Sequence, residues 1–401
     1  MSLRDDFPIF KNQIRNNPIT YLDSAASTQK PKIVIEAIKN FYENSYENVH
    51  RGMNSLSISA TDHFERAREN LREFINAKSF NEIIFTSGAT DSINILANAL
   101  ANKFKDGGEI VVSELEHHSN YLPWLKICDK SNLKLKIVPI DENGAIDEKK
   151  IIENCNADTK VLAITHMSNT TGQIIDLNFI KQNISADTLI AVDGCQSIAH
   201  CDIDVQKMNC DFFSFSSHKI YGPSGVGVLY GKESLLNDLE PSNVGGGMIN
   251  QVNSHDFSYA MLPNKFEAGT PPIEAVVGFS AAIDYVKSVD FKSFFAKEKK
   301  LRSDLIDALK DTSNVEIYGS DSSLKASSIV SFNLIGHNYN DIATFLDQYG
   351  IMIRGGHHCC QPFMKKLDIP GSCRASFGIY NDTDDVDIFI DSLKKTIKLL
   401  Q

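Results

Sequence analysis

Two apolar stretches decide the fold of this chain, and each of them ends in polar residues. Leu189–Val192 (Leu-Ile-Ala-Val) is followed by Asp193–Gln196 (Asp-Gly-Cys-Gln), and Phe212–Phe215 (Phe-Phe-Ser-Phe) is followed by Ser216–Lys219 (Ser-Ser-His-Lys). Short, nearly continuous apolar runs of this kind are typical of strands that are buried on both faces of a sheet. The sequence therefore predicts an acid at the end of one buried strand and a lysine just beyond the end of the next.

Similar runs recur through the first 230 residues and alternate with helical patterns. Ser92–Lys103 and Tyr121–Lys130 have helical periodicity and lie between strand candidates. This alternation predicts an α/β fold with a largely parallel sheet covered by helices on both faces, and ligands in such folds bind beyond the carboxyl ends of the strands. The strand candidates are Glu82–Thr86, Glu109–Ser113, Leu135–Ile140, Val161–Thr165, Leu189–Val192, Phe212–Phe215 and Gly225–Tyr230.

The last third of the chain has a different pattern, which predicts a smaller α+β domain. A helix-rich stretch runs from Ile273 to about Lys310. Three short strand candidates and two helices follow. They are Ser328–Asn333, Ile351–Arg354 and Cys373–Ser376 for the strands, and Asp341–Tyr349 and Thr383–Leu400 for the helices. We assign residues 26–289 to a large domain, and residues 1–25 together with 290–401 to a small domain.

Composition excludes several classes of protein. The 401 residues carry a net charge of -11, which opposes nucleic acid as the main partner because phosphates would be repelled. No apolar run approaches the ~20 residues of a membrane span, and the acidic start is unlike a signal peptide. The eight cysteines have irregular spacing, as expected of reduced thiols. We expect a cytoplasmic protein that does not contact membranes.

Asp193 and Lys219 together indicate the cofactor pyridoxal phosphate (PLP). Lys219 lies between a buried strand and the loop Ile220–Gly225, and partial burial lowers the pKa of a lysine, which suits an imine with the cofactor's aldehyde. A buried carboxylate such as Asp193 needs a partner, and a protonated pyridine nitrogen is one. For Asp193 a helix N-cap is the structural alternative, and most lysines are simply solvated.

Further residues at strand ends are candidates for holding this cofactor. Thr90 lies between a strand and a helix start, where free N–H groups and a hydroxyl bind phosphate, although a plain helix cap has the same sequence. His117 can stack on a pyridine ring or be a surface histidine. Gln196 can donate to the cofactor's phenolic oxygen, while Ser216 and His218 are placed to donate to its phosphate.

The segment Arg354–Pro362 contains two histidines followed by two cysteines. These residues resemble zinc ligands in kind but are consecutive, whereas zinc sites usually space their ligands, so we predict no metal. The alternative is a nucleophilic thiol, Cys359, on a glycine-preceded loop where imidazoles and Arg354 favour the thiolate. Arg374 begins a short strand further on and can bind a carboxylate by a bidentate pair, or form a surface salt bridge.

Taken together, these motifs resemble a known family. Asp193-x-x-Gln196, the run Ser216–Pro223 and Arg354-x-Gly356-His357-His358-Cys359 are similar to class V, fold type I PLP enzymes of the cysteine desulfurase group. The last motif resembles the group II, SUF-type desulfurases, also called selenocysteine lyase-like. The resemblance extends from Tyr21–Ala26 to Cys373–Ser376, nearly the whole chain. It implies a large domain with a mostly parallel mixed sheet and a small α+β domain.

The resemblance implies a role for each matching position. Lys219 would bind the cofactor covalently, His117 would stack on it and act as a catalytic acid or base, and Cys359 would be the nucleophile. A homodimer is implied, because Thr270 of one subunit would reach the phosphate held by the other. The remaining residues would contact the ring (Asp193, Gln196), the phosphate (Ala89, Thr90, Ser216, His218) or the substrate (Asn169, Arg374).

The implied reaction removes sulfur from L-cysteine to give L-alanine and a persulfide on Cys359. A SUF-type acceptor protein would collect that sulfur for iron–sulfur cluster assembly, and L-selenocysteine is a second candidate substrate. A class V aminotransferase or kynureninase-like lyase is the alternative, since it would share Asp193 and Lys219 without needing the Cys359 loop. A sulfur- or metal-binding scaffold without activity is a third interpretation. Cys360 stands where many relatives have a small residue without a thiol.

Overall fold

A seven-stranded sheet forms the centre of the larger part of the molecule. The computed structural model describes residues 3–319 and 325–400. Gly227–Gly231 is antiparallel to both of its neighbours, and the other strands run parallel to one another, which confirms the predicted mixed, mostly parallel sheet. In spatial order the strands are Ile83–Thr86, Gly227–Gly231, Phe212–Ser216, Leu189–Asp193, Thr159–Thr165, Gly108–Ser113 and Leu133–Val138.

Side chains of the central strands alternate between two apolar cores. Phe213 and Phe215 pack into one core, whereas Phe212, one residue away, packs into the core on the opposite face. Leu162 and Val161 divide in the same way. Because successive side chains of a strand point to opposite faces, both faces must be covered. This is why these strands are almost continuously apolar in sequence.

Helices cover both faces of the sheet. Ile273–Ser288 packs against Lys32–Asn44 and Ser55–Phe74, two helices that the sequence analysis did not identify. In the second of these, Asn54 caps the first turn by accepting the N–H of Ser57, and the buried residues recur at helical spacing (Ala60, Phe64, Ala67, Leu71). Further helices are Ala89–Lys103, Leu122–Cys128, Glu148–Asn154, Leu177–Asn183, Ser197–His200, Val205–Met208 and Glu233–Asp238.

A second, antiparallel sheet of four strands belongs to the C-terminal part of the chain. Its strands, in spatial order, are Val315–Tyr318, Ile329–Leu334, Ser372–Ser376 and Arg354–Gly356. The helices that accompany it are Phe291–Lys310, Tyr339–Asp347, Gln361–Lys366 and Thr383–Leu400. Leu305, Phe332 and Phe389 share a core that is separate from the two cores of the large sheet. The expected α+β pattern is present, with Val315–Tyr318 as an additional strand.

The N-terminal segment connects the two sheets. Thr20–Tyr21 pairs in parallel with Ile351–Met352, and Gln13–Ile14 pairs with Asn17–Pro18. Residues 23–28 then pass over the end of the large sheet, where Thr28 donates its N–H to the carbonyl of His218 at 2.9 Å. A separate hairpin joins Ile249–Val252 to Phe257–Tyr259. In the residues that the structure describes, no helix has both the length and the apolar character needed to cross a membrane.

Candidate active site

Most of the predicted site residues line one cavity of about 220 Å³. The cavity lies at the carboxyl ends of the parallel strands, where ligands of this fold class bind. Asp193 and Ser216 are the last residues of their strands, not the first residues beyond them as the sequence analysis placed them. The predicted residues that line the cavity are Ala89, Thr90, His117, Asn169, Asp193, Gln196, Ser216, His218 and Lys219.

Lys219 ends the short helical turn Ser217–Lys219 that follows a buried strand. Its Nζ donates to the carbonyl oxygen of Ala26 at 3.0 Å and also to that of Ala25. Burial lowers the pKa of Lys219 to about 8. The neutral amine, which is the form that reacts with an aldehyde or accepts a proton, is therefore far more populated near neutral pH than in a lysine with the ordinary pKa of 10.5.

Asp193 is a buried carboxylate at the end of its strand. Its Oδ1 accepts the backbone N–H of Cys195 at 2.9 Å, only 4% of the residue is exposed, and burial raises the pKa of its carboxyl. No ion pair of Asp193 occurs in the described ranges of the chain. Such a carboxylate gains from a cationic partner inside the cavity, so a protonated pyridine nitrogen fits this position.

The end of the cavity near the helix Ala89–Lys103 has the features of a phosphate site. The N–H of Ala89 donates to Ser216 Oγ at 2.8 Å, which leaves the hydroxyl hydrogen of Ser216 available as a donor. Thr90 Oγ1 lies 2.7 Å from Ser119 Oγ, so two further hydroxyl groups are present at this end of the cavity. Hydroxyl groups at the N-terminal end of a helix of this length suit a phosphate group.

His117 is neutral and has a defined tautomer. Its Nδ1 accepts the backbone N–H of Ser119 at 3.0 Å, so the proton of the neutral ring is on Nε2. Burial, together with the positive charge of Lys219, lowers the pKa of His117 to about 3. Any acid–base role of His117 at neutral pH must therefore use Nε2–H as a donor.

Arg374 lies beside the cavity and is held in place by two other residues. Its Nη2 is 3.0 Å from Asp23 Oδ1, and its Nη1 donates to the carbonyl oxygen of Asn169 at 2.9 Å. Only 2% of Arg374 is exposed, and its Nε has no hydrogen-bond partner among the described residues. Nε–H and the second hydrogens of the two Nη atoms remain as donors for a carboxylate.

Cys359 lies on a loop next to the cavity and is not one of the cavity-lining residues. The loop is connected to the cavity wall, because Asn169 Nδ2 donates to the carbonyl oxygen of His358 at 2.7 Å. Cys359 is half-buried, whereas Cys360 is fully buried, and its thiol donates to the carbonyl of Glu114 at 3.7 Å. The two consecutive thiols therefore have different access to a substrate.

Thr270 is in a different place from the other predicted residues. It lines a separate surface cleft together with Asn48, His50, Arg51 and Glu267. Within one chain it does not contribute to the cavity that contains Lys219. In the described ranges, no three His, Cys, Asp or Glu side chains come together as a metal site would require.

Three residues without a role in the sequence analysis also belong to this site. Ser119 and Cys195 line the cavity, and Asp23 holds Arg374. Arg354, which was expected beside Cys359, lines the cavity as well. Asp23 falls within the Tyr21–Ala26 segment of the family resemblance, and Ser119 follows His117 by two residues. Their roles depend on contacts between parts of the chain that are far apart in sequence, and no local sequence pattern indicates such contacts.

Comparisons with known proteins agree with this geometry. The family model described as aminotransferase class-V matches residues 20–389. A probable cysteine desulfurase of Staphylococcus epidermidis is 42% identical over 393 residues, covering 98% of this chain and 95% of the relative. A cysteine desulfurase of Serratia proteamaculans is 40% identical, covering 99% of this chain and 98% of the relative.

Solved structures give the same result. The cysteine desulfurase CsdA from Escherichia coli has a TM-score of 0.90 at 35% identity, covering 99% of this chain and 98% of its own. An apo cysteine desulfurase from Thermococcus onnurineus NA1 has a TM-score of 0.92 at 35% identity, covering 99% of this chain and 97% of its own. The chain therefore belongs to the class V aminotransferase family of PLP-dependent enzymes, within the branch that contains the cysteine desulfurases.

Proposed function

We propose that this protein is a cysteine desulfurase, which converts L-cysteine to L-alanine and retains the sulfur as a persulfide on Cys359. The observation that carries the proposal is the combination of two sites. A cavity with Asp193 and Lys219 suits PLP, and a half-buried thiol lies on a loop bonded to the cavity wall at Asn169. Full-length relatives named as cysteine desulfurases support the same reaction.

Each residue of the cavity has its own role in the proposed reaction. Bound PLP supplies an aldehyde and a ring that accepts electrons from the substrate's Cα. Asp193 would accept a hydrogen bond from the ring nitrogen, and Lys219 would take the Cα proton as a neutral amine. Gln196 lies at the cavity wall, where its Nε2 donates to the carbonyl of Ala25 at 2.9 Å. Ala89, Thr90, Ser216 and His218 would hold the phosphate end.

Substrate binding and sulfur transfer use the neighbouring groups. Arg374 binds the substrate carboxylate. The backbone carbonyl oxygen of Asn169 orients the guanidinium of Arg374 by accepting a hydrogen bond from Nη1. The Cys359 thiolate then attacks the substrate sulfur, so that an S–S bond forms and the Cβ–S bond breaks. Cβ then takes up a proton, for which His117 Nε2–H in the cavity wall is a candidate donor, and Lys219 returns its proton to Cα so that L-alanine leaves.

Product analysis separates this proposal from its alternative. We expect one L-alanine per sulfide released from L-cysteine in the presence of a reductant, with no amino group transferred to an added keto acid. A class V aminotransferase or kynureninase-like lyase would give keto-acid amination, or alanine without dependence on Cys359. Comparing L-cysteine with L-selenocysteine in the Cys359→Ser variant tests the second substrate, because selenium leaves more readily and depends less on the thiol.

We further propose a homodimer in which Thr270 completes the phosphate site of the partner. Glu267, which lines the cleft together with Thr270, forms a buried ion pair with Arg68, with 2.6 Å between Arg68 Nη1 and Glu267 Oε1. Met261 and Met53 are 82% and 98% exposed, so both large apolar side chains are available to contact a second copy. Both observations support a second copy as the partner.

Size-exclusion chromatography of the holoprotein with light scattering measures its molar mass and so tests the proposed dimer. We expect the mass of two chains, and we expect Met261→Asp to shift the protein towards one chain and to weaken PLP binding as Thr270→Ala does. Ile335→Asp is the control, because it changes a 63% exposed apolar residue in the turn that follows the strand Ile329–Leu334 of the second sheet. A monomer with undiminished PLP affinity would contradict the proposal.

We also propose that a small SUF-type acceptor protein takes the persulfide from Cys359 for iron–sulfur cluster assembly in the cytoplasm. The group II motif around Cys359 supports this assignment. All eight cysteines are free thiols, which is expected of a reducing compartment. Stimulation of sulfide release by an added thiol acceptor protein, with loss of the effect in Cys359→Ser, is the result that the proposal predicts.

A further inference from the structure

The adjacent residues His117 and His118 face two different cavities. His117 lines the cofactor cavity, whereas His118 lines a surface groove on the other side of the Cys359 loop. His357 and Gln361 of the loop line the same groove. The loop that carries Cys359 therefore borders the groove through His357 and Gln361, and it is bonded to the wall of the cofactor cavity through Asn169 and His358.

His118 is hydrogen-bonded to this loop at two points. Its backbone N–H donates to the carbonyl oxygen of Cys359 at 2.7 Å, and its ring Nε2 accepts the backbone N–H of Gln361 at 3.1 Å. Because Nε2 accepts an N–H, it carries no proton, and Nδ1 carries the proton of the neutral ring. Burial and the neighbouring His357 lower the pKa of His118, which favours this neutral form. The two bonds lie on either side of Cys360.

The loop needs such support because its backbone is in an unfavourable conformation. His358 and Cys359 have φ angles of 51° and 55°, in the left-handed region that side chains disfavour. Non-glycine residues in that region are strained and persist where surrounding contacts hold them. Asn169 holds His358 from the cavity side, and His118 holds Cys359 and Gln361 from the groove side.

We propose that His118 is a positioning residue for Cys359, whose ring Nε2 and backbone N–H hold the strained loop so that the thiol is presented to the cofactor cavity. The proposal relies on the proposed function only for what Cys359 does once it is positioned. It gives the histidine pair two separate roles, because His117 contacts the cavity while His118 fixes the nucleophile.

Two substitutions of His118 distinguish a hydrogen bond from simple space filling. His118→Leu removes the acceptor at Nε2, whereas the side-chain carbonyl of His118→Gln can accept the same N–H at a similar distance from the backbone. Gln361→Ala is the matched control, since it removes an exposed side chain and keeps the backbone N–H that the bond uses. Each variant is prepared as the full-length holoprotein, with its PLP absorbance recorded.

The first readout is the rate at which iodoacetamide alkylates Cys359, followed by peptide mass spectrometry. The second is persulfide formation in a single turnover with L-cysteine. For His118→Leu we expect alkylation to be several-fold faster and persulfide formation to be about tenfold slower, with KM changed less than about twofold, because a misplaced nucleophile loses rate and not binding. His118→Gln and Gln361→Ala should stay within about twofold of wild type in both readouts.

The proposal is overturned if His118→Leu and His118→Gln behave alike, whether both match the wild type or both are impaired. It is also overturned if Gln361→Ala reproduces the effect of His118→Leu. Alkylation of Cys359 does not require desulfurase activity. A protein that forms no persulfide but shows the expected alkylation pattern would therefore contradict the proposed function and leave the positioning role supported.

Discussion

The carboxylate of Asp23 holds the guanidinium of Arg374, with 3.0 Å between Oδ1 and Nη2. These residues are far apart in sequence and come together because the N-terminal segment runs alongside the second sheet, where Asp23 bridges to Ser376. Arg374 is almost fully buried, and burial lowers the pKa of its guanidinium while Asp23 opposes this shift. Asp23 thus both orients Arg374 and favours its charged form.

Asp23→Asn should weaken substrate binding. The amide keeps the size of the carboxylate but removes the charge that holds Arg374, so the arginine is less well oriented towards a substrate carboxylate. We expect KM for L-cysteine to rise about tenfold with a smaller change in kcat, as measured by steady-state alanine formation. Asp347→Asn is the control, because the exposed pair of Asp347 and Arg15 contributes little. An unchanged KM in Asp23→Asn would show that Arg374 does not depend on this pair.

The amine of Lys219 should control how fast the apoprotein takes up PLP. Its pKa is about 8, so the amine is mostly protonated below pH 8 and mostly neutral above it. Because the neutral amine attacks the aldehyde, the rate of covalent attachment should rise with pH, reach half of its maximum near pH 8 and level off about one pH unit higher. Stopped-flow absorbance measures this rate. A midpoint close to 10.5, the ordinary value for lysine, would contradict the assignment, and Lys219→Ala should show no covalent attachment.

Glu116→Gln should change how stability depends on pH. Glu116 is completely buried, with Oε1 2.6 Å from Ser113 Oγ and Oε2 accepting from Asn120 Nδ2 at 2.7 Å, and burial raises its pKa to about 8. In the unfolded chain this carboxyl ionises near its ordinary value of 4.5. The folded wild type therefore loses stability as pH rises from about 4.5 to about 8, and glutamine, which keeps the hydrogen-bonding pattern of the neutral acid, does not.

Thermal unfolding of both proteins at pH 6 and pH 8 measures this effect. We expect the stability of Glu116→Gln relative to wild type to increase between the two pH values, by no more than about 1.4 kcal/mol per pH unit for one proton. An unchanged difference in stability between the two pH values would mean that the carboxylate is already ionised in the folded protein at pH 6, and it would contradict the prediction.

The central strands and their polar ends were predictable from the sequence. Buried parallel strands must be apolar on both faces, so runs such as Leu189–Val192 and Phe212–Phe215 are recognisable in the sequence. Because these two strands are parallel neighbours, Asp193 and Lys219 come to the same edge of the sheet. The observed strand boundaries differ from the predicted ones where the ends of a strand are less apolar. The strand expected at Leu135–Ile140, for example, runs over Leu133–Val138.

The remaining features depend on contacts that a local pattern does not contain. The bond between Arg374 and Asp23 requires the N-terminal segment to pair with Ile351–Met352. The left-handed backbone at Cys359 follows from bonds to His118 and Asn169 in other parts of the chain. Composition of the segment around Cys359 indicates a nucleophile, but it does not indicate which residues hold it.

The most direct test of the account is to locate the sulfur after one turnover. The holoprotein is mixed with one equivalent of L-cysteine, trapped with an alkylating reagent, digested and examined by mass spectrometry, alongside Cys359→Ser and Cys360→Ser. The account predicts one additional sulfur atom on Cys359, present in Cys360→Ser and absent in Cys359→Ser, because the Cys360 thiol is fully buried against Glu114. Additional sulfur on another cysteine, or wild-type alanine formation by Cys359→Ser, would contradict it.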